Sequence, residues 1–172
     1  MQVIDYFSLF GVPERFELDL IQLEQAYRNV QAQVHPDRFV SKTDAERRVA
    51  MQWATHANEA YRTLRSPVAR ARYLLSQRGV DIDAERSAAM PPAFLLQQME
   101  WRENVAQAAS DAAELERLSN SLAGEERDML ADIQRALDVE NDNVRAAELL
   151  RRLMFLEKLR ADINDALAVL ES

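Results

Sequence analysis

The residues best suited to chemistry in this sequence are three neighbours, His35-Pro36-Asp37. Histidine can donate and accept hydrogen bonds near neutral pH. A carboxylate such as Asp37 accepts strongly from an arginine or from backbone amides. Proline forbids a continuous helix through this point and pushes the residue before it toward extended geometry. Two ionisable groups are thus set on a turn, where Gly, Asn or Ser would reverse the chain equally well. One reading is an acid–base pair. A second is a contact tip offered to a partner, and a plainer third leaves Asp37 as a helix cap and His35 as surface decoration. Little else in the composition is reactive. With no cysteine, disulfides, thiolate chemistry and cysteine-ligated metal are excluded. Two histidines, His35 and His56, do not make a multi-histidine metal centre, so neither cofactor nor metal is expected. His56 falls beside an apolar seam and is expected to be a partly buried packing residue.

The tripeptide lies between two amphipathic segments. The first starts near Asp19, which has capping-box spacing to Gln22, and carries the seam Leu20, Leu23, Tyr27, Val30 and Val34. The second runs from about Thr43 to Arg65 with the seam Ala50, Trp53, Ala57, Ala60 and Leu64. Joined by a short loop, they predict an antiparallel hairpin with His35-Pro36-Asp37 at its tip. Trp53 and Tyr61 are expected to fill the space toward a short first helix, Tyr6–Phe10, and its Leu9. Ser66-Pro67 reads as a cap followed by proline at the first helical position, opening a fourth helix, Val68–Arg78, that stops at Gly79.

Residues 79–92 are mostly polar, lack a sustained period and end in Pro91-Pro92, which predicts a short semi-rigid linker. Three longer helices are expected beyond it, over about 93–109, 111–139 and 144–170, with the Asn141-Asp142-Asn143 turn between the last two. The middle helix offers Leu115, Leu118, Leu122, Met129, Ile133 and Leu137. The last offers Leu149, Leu153, Leu156, Ile163, Leu167 and Leu170. Gly124 costs the middle helix about 1 kcal/mol against alanine and could mark a bend. The fold class is therefore all-α: a helical hairpin with flanking helices over 1–78, a linker over 79–92, and an antiparallel three-helix bundle over 93–172. The helix at 93–109 is apolar on two sides. Phe94, Trp101 and Val105 can face the bundle, which leaves Leu95, Leu96 and Met99 bordered by Glu100 and Glu103. Phe155 falls beside the leucine seam of the last helix, and Arg151-Arg152 reads as a solvated pair. Apolar groups rimmed by carboxylates suggest a protein-binding surface.

Charge is uneven. Residues 1–78 hold 11 Lys/Arg against 9 Asp/Glu, a net of +2; residues 79–172 hold 10 against 20, a net of −10. Such asymmetry suggests two modules with different partners, and neither half is basic enough to favour nucleic acid. No apolar run approaches the roughly 20 residues of a membrane span. The opening MQVIDYFSLFGV lacks the basic region of a secretory leader, so a cytoplasmic location is expected.

The strings Ala26-Tyr27-Arg28, His35-Pro36-Asp37-Arg38-Phe39, Asn58-Glu59-Ala60-Tyr61-Arg62-Thr63-Leu64 and Ser66-Pro67 resemble a J-domain. The resemblance narrows with Asp5-Tyr6-Phe7-Ser8-Leu9-Phe10-Gly11 and Arg70-Ala71-Arg72-Tyr73-Leu74-Leu75. Ala93-Phe94-Leu95, Gln98-Met99-Glu100, Arg102-Glu103 and Phe155-Leu156-Glu157-Lys158-Leu159-Arg160 extend it to nearly the whole chain. Together these resemble the HscB family of iron–sulfur co-chaperones. The resemblance implies a protein without catalysis of its own, which presents the scaffold protein IscU to the DnaK-type chaperone HscA and stimulates that chaperone's ATPase. It implies that His35, Pro36, Asp37, Arg28 and Arg38 meet the chaperone, and that Leu95, Leu96, Met99, Glu100, Glu103 and Phe155 meet the scaffold. The second helix departs from the usual pattern, since Arg28 is its only basic residue. The family often has an acidic residue where Gln107 stands. Two other readings stay open: an enzyme built on His35 and Asp37, and a J-domain protein with an unrelated client.

Overall fold

The structure, a computed structural model, describes residues 4–34, 43–83 and 91–170. Those residues form helices with no strand among them: α1 (Tyr6–Phe10), α2 (Leu20–Val34), α3 (Asp44–Arg65), α4 (Pro67–Gln77), α5 (Pro92–Ala108), α6 (Ala112–Arg135) and α7 (Asn143–Leu170). The chain divides into two compact units after Leu74, inside α4. The linker expected over 79–92 follows that division, and its residues 84–90 lie outside the described residues.

In the first unit, α2 and α3 form the hairpin, and α1 and α4 flank it. Asp5 caps α1 by accepting from the Ser8 amide at 2.9 Å, and Gly11 ends it in the left-handed region at φ 63°. Phe7 and Phe10, rather than Leu9, are the buried residues of α1. Asp19 caps α2 through the amides of Ile21 (2.9 Å) and Gln22 (3.2 Å). Leu23 is fully buried, but Leu20, at the first position of α2, is 48% exposed. On α3, Ala50, Ala57, Ala60 and Leu64 are buried as the spacing predicts, and small side chains there permit close approach. The hairpin is tied by Tyr27 and Tyr61, whose rings stack at 4.1 Å, and by Tyr27 donating to Asn58 Oδ1 at 2.7 Å. Arg70 of α4 is buried. It lies 4.9 Å over the Phe16 ring and donates to the Leu64 carbonyl at 2.6 Å, satisfying an acceptor in the last turn of α3. His56 is half-buried as expected, donating toward the Ile4 carbonyl at 3.2 Å and meeting Tyr6 edge-on at 5.4 Å.

The second unit is the antiparallel three-helix bundle. Leu115, Leu118 and Leu122 of α6 pack with Ala108 of α5 and with Leu156, Leu159 and Ile163 of α7. The seam of α7 differs from its prediction. Leu150 and Leu159 are buried in it, whereas Leu149 is half-buried and Leu170 is 43% exposed. A helix this rich in leucine offers two adjacent stripes, and packing chooses between them. Gly124 does not interrupt α6, which runs unbroken to Arg135. It then widens into one turn of π-helix, Ala136–Glu140, closed by Asn141 at φ 53°. Within this unit Arg78 donates to the Leu137 carbonyl and to Asn143 Oδ1, both at 3.0 Å, which satisfies a carbonyl of the widened turn.

Candidate functional site

The chemistry of the first unit was expected at His35, Pro36, Asp37 and Arg38, all of which lie outside the described residues. What is described is the frame on either side of them. α2 holds its helix to Val34. On the far side Thr43 opens α3 with a complete capping box: its Oγ1 accepts from the Glu46 amide (3.3 Å), and Glu46 Oε2 accepts from the Thr43 amide (2.9 Å). The signal for this cap is the spacing Thr43-x-x-Glu46 at the expected start of the helix. Arg28 is exposed on α2 and paired within its own helix to Glu24 at 2.5 Å. Its charge is therefore offset locally, and the two side chains screen one another in water.

The second candidate site is on α5, and here the side chains are on the page. Phe94 and Ala108 are buried and Trp101 and Val105 half-buried, so the inner face is the one the spacing predicts. About half a turn round the helix, Leu95 is 47% exposed, Leu96 62% and Met99 67%. Glu100 and Glu103 are exposed beside them, and Gln107 donates to Glu103 Oε1 at 3.3 Å. The stripe and its acidic border are thus brought together on one face. Phe155 is not an exposed member of that stripe. It is half-buried against the bundle core, edge-on to Phe94 at 5.8 Å, with the Arg102 guanidinium 5.8 Å from its ring centre. A ring beside a leucine seam has nowhere drier to go than the neighbouring phenylalanine. Arg152, expected to be solvated, is half-buried: it lies 5.4 Å from the Phe94 ring centre and reaches Gln97 Oε1 at 3.3 Å.

One charged residue was missed altogether. Glu126 sits in the α6 seam between Leu122 and Met129 and is buried, with Oε2 2.9 Å from Arg160 of α7. Burial pushes its carboxyl above the ordinary carboxylate range, and Arg160 opposes that shift. Its spacing, four residues after Leu122 and three before Met129, was the available signal. Among the described residues no cluster of His, Asp or Glu is arranged to hold a metal ion, and no helix is long and apolar enough to cross a membrane.

Across the known proteins, the chain is 52% identical over 169 residues to a co-chaperone protein HscB homolog of Cupriavidus taiwanensis, covering 97% of this chain and 96% of that one. The chain belongs to the HscB co-chaperone family. A Burkholderia thailandensis HscB homolog is 53% identical over 168 residues, covering 96% and 95% of the two chains. A family model described as the HSCB C-terminal oligomerisation domain matches residues 90–164, which include the exposed stripe. Among solved structures, chaperone HscB from Vibrio cholerae superposes with a TM-score of 0.85 at 34% identity, over 97% of this chain and 99% of that one. Human co-chaperone HscB gives 0.88 at 27% identity, over 95% and 82%. The hairpin unit is thus an HscB-type J-domain and the second unit the HscB three-helix bundle.

Proposed function

We propose that this protein is a two-ended adaptor of iron–sulfur cluster assembly, acting in the cytoplasm. Residues 1–78 engage the DnaK-type chaperone HscA through His35, Pro36, Asp37, Arg28 and Arg38 and stimulate its ATP hydrolysis. Residues 93–172 hold the scaffold protein IscU through Leu95, Leu96, Met99, Glu100 and Glu103, with half-buried Phe155 packed against Phe94 of the same helix. The adaptor has no catalytic step of its own. The tripeptide binds the chaperone's hydrolysis-competent state better than its alternative, and that difference in affinity is the whole of the activation. Holding client and chaperone on one chain raises the effective concentration of each for the other.

The observation that carries the reading is the exposed Leu95, Leu96 and Met99 on a helix whose opposite face is in the core of an HscB-family bundle. Three large apolar side chains in water gain from a partner that covers them, and the two carboxylates beside them favour a partner with a basic border. The test is the steady-state ATPase rate of purified HscA, alone, with this protein, and with this protein and IscU. A rate that rises with the protein and rises further with IscU is expected. A rate unaffected by either addition overturns the reading.

A further inference from the structure

The chain has no cysteine, so its six methionines are its only oxidisable sulfurs. Met129 and Met154 are half-buried, while Met51 on α3 is 66% exposed and Met99 on α5 is 67% exposed. The two are equally exposed, but Met99 alone lies in the apolar stripe, with Leu95 and Leu96 and beside the carboxylates of Glu100 and Glu103. A leucine there would cover the same surface without a reactive sulfur. We propose that Met99 is an oxidative modification site, at which conversion to the sulfoxide by a peroxide releases the scaffold client.

The inference rests on the docking role given above to the α5 stripe. The thioether sulfur attacks one oxygen of a hydroperoxide. An S–O bond forms and the O–O bond breaks, and the departing oxygen leaves with the proton as water or an alcohol. Sulfur loses two electrons and the peroxide gains them. The product sets a strong hydrogen-bond acceptor where the free helix has only apolar carbon and sulfur. In water that oxygen is solvated and α5 is undisturbed, because Met99 faces away from the core. Against a client it must be desolvated among leucines, which weakens binding about tenfold. Sulfoxide reductases reverse the step with thiol electrons, so the change is a switch rather than damage.

The experiment measures the affinity of the full-length protein for purified IscU by calorimetry, before and after limited hydrogen peroxide treatment and again after methionine sulfoxide reductase. Peptide mass spectrometry follows Met99 and Met51 in the same samples. Expected are sulfoxide at both residues, an affinity loss of about tenfold that tracks Met99 occupancy, and recovery on reduction. Met51→Leu should bind as the untreated protein does and remain peroxide-sensitive. Met99→Leu should show the same affinity with and without peroxide. Stoichiometric oxidation of Met99 without loss of affinity overturns the inference and leaves the docking reading standing, as does a Met99→Leu variant that stays sensitive. A Met99 that peroxide does not modify overturns it too. Untreated protein that fails to bind IscU overturns the docking reading, and this inference with it.

Discussion

Leu96 and Phe155 separate docking from folding, and their truncation to alanine is the sharpest test of the α5 surface. Leu96 is 62% exposed, so most of its side chain is already in water and little packing is lost on truncation. Leu96→Ala should change stability by no more than about 0.5 kcal/mol, and alanine's helix propensity offsets part of that. A client that covers the leucine removes the exposed part from water. Full burial of a leucine is worth about 1.5–3 kcal/mol. The 62% still available at the start corresponds to about 1–2 kcal/mol, or roughly 5- to 30-fold in dissociation constant. Phe155 behaves oppositely. Its ring meets Phe94 edge-on and packs against the bundle core, so Phe155→Ala should cost about 2–3 kcal/mol of stability, somewhat below a fully buried phenylalanine. Denaturant unfolding and calorimetric titration of IscU, both on the full chain, give the two numbers for each variant. A Leu96→Ala protein that unfolds more easily than Phe155→Ala, or that binds IscU as tightly as wild type, refutes the assignment of inner and outer faces.

His35→Gln should leave helicity and melting unchanged while abolishing stimulation of the HscA ATPase; retained stimulation counts against the tripeptide. Gly124→Ala should stabilise the bundle by about 1 kcal/mol, raising its melting midpoint by about 4–8 °C, because a Cβ there meets only Arg127 Nη2 at 3.9 Å; an unchanged or lowered midpoint contradicts this. Thr43→Ala removes the acceptor of the Glu46 amide and should cost about 1 kcal/mol, read by urea unfolding. Burial raises the carboxyl of Glu126 in the folded bundle, so its favourable contribution is present below the unfolded value and is lost as pH rises through the folded one. Glu126→Gln should therefore gain stability relative to wild type as pH rises out of the ordinary carboxylate range, and a difference that stays flat or shrinks refutes it.

The helices were legible because each leaves punctuation in the sequence. Gly11 closes α1, Pro67 opens α4 and Gly79 follows its end, and the alanine seam of α3 is buried as spaced. Periodicity was weakest where apolar residues are plentiful. In α7 it could not choose between Leu149 and Leu150, which lie 100° apart on neighbouring stripes, because that choice is made by where α6 lies. The widened turn at Ala136–Glu140 was equally invisible. A π-turn inserts one residue without changing which residue types are used, and the chain reads as an ordinary helix end.

The exposed stripe of α5 was legible for a different reason. A bundle helix can bury only about a third of its circumference against its two neighbours, so a helix with apolar residues on two sides must leave one set in water. Phe94, Trp101, Val105 and Ala108 claim the inner face of α5, and Leu95, Leu96 and Met99 are what remains. The same counting fails for Phe155, because it treats every off-seam residue as exposed. α7 meets α5 as well as α6, so its off-seam ring finds Phe94 on α5. Arg102, exposed, and Arg152, half-buried, then lie beside the two rings, each with its guanidinium over an aromatic face. The aromatic pair on the inner side of α5 thus belongs to folding. A substitution that weakens client binding through Phe155 must therefore show itself first as a loss of stability, and one through Leu96 or Met99 must not.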